Sequence, residues 1–344
     1  MTKPVGVIGS GSFGLTLAYL ASENSDVIIY ARRQGVVDAI NNDHTLKGHK
    51  LSERIRATSD LEEVCRNCDL LIPVIPSNQF RTVIKAMSPF LGPKHFIIHG
   101  TKGLDYPDLS DLERTNVELS KENVFTMSEV IKQETGLIRI GCIAGPNLSK
   151  EILEGKPAGT VIASPFNEVI EEGTKILKSS KFMTFSSNEL MGTELVGAFK
   201  NIFAIAAGII EGSDLGKNAY GLLITRAMRE MACFLDIMNS EKTPALGTAG
   251  LGDLVATSAS GDSRNFSFGK KIATGKSLEE IMETQVELAE GVRTLKAGHL
   301  LAKKYNIDAP ITQLLYQIVY EGLNVNRAIK FMMSYPFVED VDYL

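Results

Sequence analysis

Thirty residues near the start of the chain narrow its fold more than any other stretch. Val5-Gly-Val-Ile8 is a short apolar run, Gly9-Ser-Gly-Ser-Phe-Gly14 follows at once, Leu15-Thr-Leu-Ala-Tyr-Leu-Ala21 has helical character, and Asp26-Val-Ile-Ile-Tyr30 is a second apolar run. Strand, G-x-G-x-x-G, helix and strand in that order form the context that a dinucleotide fingerprint requires. Gly9 permits a tight turn, Gly11 lets backbone approach a pyrophosphate, and Gly14 lets helix and strand pack closely. The helix N-terminus adds N–H donors and the positive end of a dipole. Folds specific for NAD carry Asp or Glu at the end of the second strand, on the ribose 2′-hydroxyl. Here the chain reads Tyr30-Ala-Arg-Arg33. Two guanidiniums and no carboxylate favour NADP(H), or tolerance of both NADP(H) and NAD(H). The other reading of Arg32 and Arg33 is a surface pair that opens the next helix.

The alternation continues. Strands are expected over 69–75, 95–99, 139–144, 161–164 and 181–185, with a helix over 166–178 and Ser77 placed to cap another. Residues 105–123 are polar and poorly periodic and read as an inserted loop. Beyond residue 188 no strand is expected; helices are predicted over 219–239, 277–287, 291–305 and 312–322, and Ser277-x-x-Glu280 has the spacing of a capping box. The fold class is therefore α/β: an N-terminal Rossmann-like, doubly wound and largely parallel sheet followed by an all-helical domain. The 344 residues suit two domains, expected at 1–187 for NAD(P) binding and 188–344 for substrate binding and catalysis.

One lysine stands out. The run 196–210 is apolar except for Lys200 and Asn201, and Ser186 with Glu189 before it has capping-box spacing. A helix apolar all round is a core helix. On it Lys200 shares a face with Val196, Phe203 and Ala204. Burial there is expected to lower the pKa of the ammonium and make it a usable acid, base or clamp; the alternative is a lysine that snorkels to the edge. Lys102, in Gly100-Thr-Lys-Gly103 after a strand, is either an anion ligand at the ligand-binding edge of the sheet or a solvated loop lysine. Ser263-Arg-Asn265, after the glycine-rich run 247–254, offers hydroxyl, guanidinium and amide to a phosphate monoester, or serves only to cap a helix.

Bulk properties exclude other classes. With 36 basic and 41 acidic residues the net charge is -5 and the cations are not massed, so no nucleic-acid partner is expected. The Lys200 run is too short and too polar in its middle for membrane insertion, and the N-terminus lacks signal-peptide layout, so a cytoplasmic protein is expected. Cys65 and Cys68 form a lone C-x-x-C, and His95 and His99 lack a third ligand; no metal is expected.

Taken together, Gly9-Ser-Gly-Ser-Phe-Gly14, Gly100-Thr-Lys-Gly-Leu104, Met127-Ser-Glu-Val130, Gly145-Pro-Asn147, Glu194-Leu-Val-Gly-Ala-Phe-Lys-Asn-Ile202, Ala249-Gly-Leu-Gly-Asp-Leu254, Ser263-Arg-Asn265 and Ala289-Glu-Gly-Val292 resemble, in order and over nearly the whole chain, bacterial-type NAD(P)-dependent glycerol-3-phosphate dehydrogenase. The resemblance implies reversible hydride transfer between dihydroxyacetone phosphate and sn-glycerol 3-phosphate, the glycerophospholipid backbone, in a homodimer. It implies Lys200 as the catalytic proton acceptor, and Lys102, Gly145, Asn147, Asp253, Ser263, Arg264 and Asn265 as substrate positions. For the cofactor it implies Ser12, Phe13, Arg32, Arg33, Lys102, Arg264, Leu288 and Glu290, beside Gly9, Gly11 and Gly14. The resemblance has departures: the family commonly has Ser at Asn147 and Arg where Phe266 follows Ser-Arg-Asn, and the 105–123 loop is longer than usual. The rivals are a β-hydroxyacid dehydrogenase or ketopantoate reductase, whose substrates carry no phosphate, and a nucleotide-binding sensor without turnover.

Overall fold

The computed structural model describes residues 3–107, 118–284, 289–336 and 339–340. The chain divides into two compact units, Met1–Asp105 with Thr126–Glu194, and Tyr106–Phe125 with Leu195–Leu344.

The first unit holds β1 (Val5–Ile8), β2 (Val27–Tyr30), a small hairpin of β3 (Thr45–Leu46) and β4 (His49–Lys50), then β5 (Ile55–Thr58), β6 (Leu70–Pro73), β7 (Phe96–His99), β8 (Ile140–Ala144), β9 (Ala158–Ala163) and β10 (Phe182–Ser187). Eight strands form one sheet in the order β10-β9-β8-β7-β6-β1-β2-β5, parallel throughout except where β8 meets β9. Central strands buried on both faces read as unbroken apolar runs, which is why β1, β2, β6, β7 and β8 are legible. Order reverses at β1, between β6 and β2, and loops from the carboxyl ends of β1, β6, β7 and β8 carry the fingerprint, Pro76, Lys102 and Asn147.

The differences from expectation have physical causes. β5 reads Ile-Arg-Ala-Thr, alternating buried and exposed at the sheet edge, so it lacks the apolar run of a central strand. β9 begins at Ala158, earlier than 161, over an Ala-Gly start with low strand propensity. Ser77 does not cap: it is the first residue of the helix Ser77–Met87 and Pro76 takes the cap position. Ser186 does not open a capping box with Glu189 either, because it remains in β10; the Glu189 N–H donates instead to Ser187 Oγ at 3.1 Å.

Beyond 188, every regular element among the described residues is helical, from Leu190–Gly212 to Val325–Met333. The box at Ser277 does form, its N–H donating to Glu280 Oε2 (2.8 Å) while the Glu280 N–H donates to Ser277 Oγ (3.3 Å). The helix Leu190–Gly212 has 23 residues, longer than the central run read from sequence and, by length and composition only, long and apolar enough to cross a membrane; it is mostly buried inside the protein, as a core helix is. It touches the helix Arg264–Ala273 backbone to backbone. A Cβ on Gly208 would lie 2.0 Å from the Phe266 carbonyl oxygen, and one on Gly269 2.0 Å from that of Ile205. The segment expected as an inserted loop is in part anchored: the Tyr106 hydroxyl donates to the Arg293 carbonyl (2.8 Å) and the Lys121 N–H to the Tyr305 hydroxyl (3.2 Å). Its residues 108–117 lie outside the described residues.

Glu230, from the helix Gly216–Ile237, is buried and accepts from the N–H groups of Ile311 (2.6 Å) and Thr312 (3.0 Å) and from Thr312 Oγ1 (2.7 Å). It satisfies the orphan donors at the start of the helix Pro310–Tyr320 in place of a local cap. Burial pushes its carboxyl up to about 7, against the opposing pull of those hydrogen bonds. The folded protein therefore keeps this proton while the unfolded chain releases it above about 4.5. The group's contribution is greatest below pH 4.5 and is lost as pH rises through 7, a change on the order of 3 kcal/mol. Thermal unfolding at stepped pH should show Glu230→Gln losing less stability than wild type between pH 4.5 and 7; equal losses would rule out Glu230 as the titrating group.

Candidate active site

In the first unit the fingerprint is built from backbone. Gly9 has φ +123°, and a Cβ there would stand 2.4 Å from the Val74 carbonyl oxygen; one on Gly14 would stand 2.1 Å from the Gly9 carbonyl oxygen. Gly11 has nothing within 4 Å of where its Cβ would be, so the space over it is open. The helix Ser12–Ser22 starts from an extended Gly11 with no side-chain cap, leaving its first N–H groups for a ligand. These features fit a dinucleotide pyrophosphate. Arg32 and Arg33 follow β2 and are exposed; Arg33 takes the cap position of the helix Gln34–Asp43, and neither forms an ion pair among the described residues.

The loop after β7 is tied to its neighbours. Thr101 Oγ1 donates to the Ile75 carbonyl at 2.8 Å, and Lys102 Nζ donates to the Gly145 carbonyl at 2.9 Å while lying 5.7 Å from the Phe13 ring centre. A Cβ on Gly100 would meet the Phe13 ring at 3.0 Å. Lys102, Phe13 and Gly145 are thus brought together, and the solvated-loop reading of Lys102 does not describe it. Asn147 follows at two residues. Thr160 Oγ1 donates to the Ala144 carbonyl (3.1 Å), so it accepts from Asn147 Nδ2 (2.9 Å), which fixes the amide and leaves its buried Oδ1 without a partner among the described residues.

Below this edge a carboxylate organises the unit. Glu194 accepts from His99 Nε2 (2.8 Å), the Ser128 N–H (2.8 Å) and Ser128 Oγ (2.6 Å), all buried. His95 donates from Nε2 to the Cys65 carbonyl (2.9 Å) and accepts the Gly92 N–H at Nδ1 (2.8 Å). Both histidines are thus structural. Cys65 and Cys68 are free and buried, and burial pushes both thiols up to about 12.

In the second unit Lys200 is 4% exposed and does not snorkel. Its Nζ donates to Asp253 Oδ1 (3.0 Å) and to Thr257 Oγ1 (2.5 Å), and Thr257 Oγ1 donates to the same Asp253 oxygen (3.0 Å). Asp253 and Thr257 lie one turn apart on the helix Asp253–Ser258, entered through a π-helical turn at Thr248–Gly252. The Asp253 carboxylate supplies the counter-charge to this buried lysine. Asn201, beside Lys200, accepts from Asn265 Nδ2 (2.9 Å), and Asn265 Oδ1 accepts the Gly291 N–H (2.9 Å). Gly291 must be glycine, since a Cβ would stand 2.5 Å from the Asn201 carbonyl oxygen.

Ser263 is the N-cap of the helix Arg264–Ala273, accepting the Phe266 N–H at 3.3 Å; Arg264 is exposed at its first position. Phe266, where the resemblance leads to an expected Arg, is buried and packs inside. Glu290 opens the helix Glu290–Lys304 and is half-buried; Leu288 lies outside the described residues. The sequence reading did not bring Thr257 or the Asn201 side chain into this cluster. Thr257 had an available signal, standing four residues after Asp253 on one helical face; Asn201 pairs through Asn265, 64 residues away, which no local pattern shows.

Residues 4–170 match the family model described as NAD-dependent glycerol-3-phosphate dehydrogenase N-terminus, and residues 189–330 the one described as its C-terminus. The chain belongs to the NAD-dependent glycerol-3-phosphate dehydrogenase family. It is 36% identical over 334 residues to a glycerol-3-phosphate dehydrogenase (NAD(P)+) of Acinetobacter baylyi, covering 94% of this chain and 89% of that one. It is 32% identical over 338 residues to the enzyme of the same name from Macrococcus caseolyticus, covering 96% and 97%. The crystal structure of a glycerol-3-phosphate dehydrogenase from Coxiella burnetii superposes with a TM-score of 0.86 at 29% identity, over 97% of this chain and 99% of that chain. A ketopantoate reductase family structure from Ralstonia eutropha reaches only 0.53 at 14% identity over 92% and 96%, a likeness of fold alone.

Within this family member the buried pair makes a prediction. Asp253→Asn leaves the Lys200 ammonium buried without its counter-charge and should cost about 3 kcal/mol of unfolding free energy. Adding Lys200→Met should restore part of that loss in chemical denaturation. A single variant as stable as wild type would show that the pair carries no compensated charge.

Proposed function

We propose that the chain is an NAD(P)-dependent glycerol-3-phosphate dehydrogenase that interconverts dihydroxyacetone phosphate and sn-glycerol 3-phosphate, and so supplies the glycerophospholipid backbone. The observation that carries the reading is the buried triangle of Lys200, Asp253 and Thr257 in a chain whose two halves both match the family. A bound nicotinamide supplies the hydride that adds to the substrate carbonyl carbon. Lys200 meets the negative charge that grows on the carbonyl oxygen and delivers a proton to it, becoming a neutral amine beside the Asp253 carboxylate. In reverse that amine takes the proton of the substrate hydroxyl. Thr257, bonded to both partners, keeps the ammonium aimed as its charge changes.

The substrate phosphate falls to Arg264, whose guanidinium suits bidentate binding, with Asn265 and Ser263 beside it at the start of a helix. Lys102, Gly145 and Asn147 complete the substrate set. Gly9, Gly11, Ser12, Phe13 and Gly14 take the pyrophosphate region, Arg32 and Arg33 a 2′-phosphate, and Glu290 with Leu288, Lys102 and Arg264 the remaining cofactor contacts. We place the domain division at 187/188, where the last strand ends, and read the working form as a cytoplasmic homodimer. Four free thiols suit a reducing compartment.

Following NADPH absorbance at 340 nm tests the reading directly. Oxidation is expected with dihydroxyacetone phosphate and not with dihydroxyacetone or ketopantoate; ketopantoate turnover would refute the substrate assignment, and binding without turnover of any of them would refute the enzyme reading. Lys200→Met should keep NADPH binding and lose at least a thousandfold in kcat, and a near-normal rate would remove Lys200 from the mechanism.

A further inference from the structure

The hairpin β3–β4 stands apart from the large sheet, and its tip is two residues long, Lys47 at φ +51° and Gly48 at φ +81°. Two left-handed residues between paired strands make a type I′ turn. Gly48 adopts that conformation freely, whereas Lys47 carries the steric penalty of a side chain in it. Such a penalty persists only where surrounding structure enforces it, and it collects at functional positions. Here the enforcement is visible: Leu46 and Leu51 on either side are buried in the core of the first unit, and the Leu51 N–H donates to the His44 carbonyl at 2.7 Å. The direction of the tip is therefore set by the core.

That direction leads to the fingerprint. Lys47 Nζ donates to Ser12 Oγ at 3.1 Å, and Ser12 is the first residue of the helix that leaves Gly11. The placement is electrostatically poor by itself, because an ammonium is set against the positive end of a helix dipole that already has uncapped N–H groups. Among the described residues no carboxylate pairs with Lys47, nor with Arg32 or Arg33 at the end of β2. A cation held by a strained turn over an uncapped helix start becomes favourable when an anion lies between them.

We propose that Lys47 is a dinucleotide-binding residue, whose ammonium closes over the pyrophosphate at the start of the helix Ser12–Ser22. The assignment rests on the dehydrogenase reading above. When the dinucleotide binds, a phosphate oxygen takes the place of Ser12 Oγ as acceptor, and the hairpin supplies the lysine pre-aimed.

Titrating NADPH and NADH separately into wild type, Lys47→Met, Lys47→Arg and Lys47→Gly tests this. Lys47→Met should raise Kd by about five- to tenfold for both cofactors alike, and Lys47→Arg should recover most of that loss. Lys47→Gly suits the left-handed turn, so it should weaken both cofactors while leaving Tm equal or higher; that split separates a binding residue from a structural one. The salt dependence of Kd should flatten in the Met and Gly variants. Weakening of NADPH alone would move the lysine to the 2′-phosphate and overturn the proposal. Unchanged Kd for both would leave Lys47 a solvated hairpin lysine and overturn it, with wild-type binding still upholding the dehydrogenase reading. Wild type that binds neither cofactor would overturn both.

Discussion

An ammonium ion buried on an apolar helix cannot be left alone, and much of the second unit can be understood as the arrangement that compensates it. Asp253 supplies the charge and Thr257 the second acceptor, one helical turn apart. A carboxylate reaches Lys200 only if the short helix Asp253–Ser258 starts at the right place. The π-helical turn Thr248–Gly252 before it sets that start, and its Gly250 lies where a Cβ would meet the Ala245 carbonyl oxygen at 2.2 Å. Glycine contacts at 208 and 269 bring a second helix against the first at backbone distance, which is how Asn265 reaches Asn201 beside the lysine. The charge, the glycines and the amide pair form one connected requirement.

The two units solve the problem of buried polarity differently. At the fingerprint the first unit relies on backbone: a positive φ at Gly9, close approach at Gly14 and a helix start left without a cap. Deeper in both units, buried carboxylates are satisfied by donors from distant elements. Glu194 gathers His99 and Ser128, and Glu230 gathers Ile311 and Thr312. Glu230 takes over a helix start that has no local side-chain cap, and Glu194 adds to one already boxed by Thr126 and Glu129. An unpaired donor or acceptor at these depths would cost as much as a lost hydrogen bond or more, so such pairings define which packing is the native one.

Where this chain departs from its family, the structure gives the change a physical meaning. Asn147 is oriented by Thr160 because the threonine proton already goes to the Ala144 carbonyl, leaving the amide nitrogen as the only donor available to it. Phe266, where the resemblance leads to an expected arginine, is an apolar ring that packs inside, at the contact where Gly208 meets its backbone. The polar run after Asp105 is anchored through Tyr106 and Lys121 to the helix Glu290–Lys304 and the tyrosine just beyond it, and belongs to the second unit.

Sequence alone determined the elements whose signals are local. The fingerprint is legible because its glycines answer short-range steric needs, the central strands because burial on both faces makes them uniformly apolar, and Lys200 because a charge in an apolar helix contradicts its surroundings. The box at Ser277 is legible because both of its hydrogen bonds close within three residues. Tertiary structure alone decided the rest: that β5 pairs at the sheet edge, that Ser77 and Ser186 do not cap, that Lys200 meets Asp253 and Thr257, and that Lys47 reaches Ser12. The reason is one of range. Steric and helical preferences act over a few residues and leave their mark in a window of sequence. Compensation of a buried charge acts through space, between groups 53 and 57 residues apart at Lys200, and leaves no periodic trace in the chain.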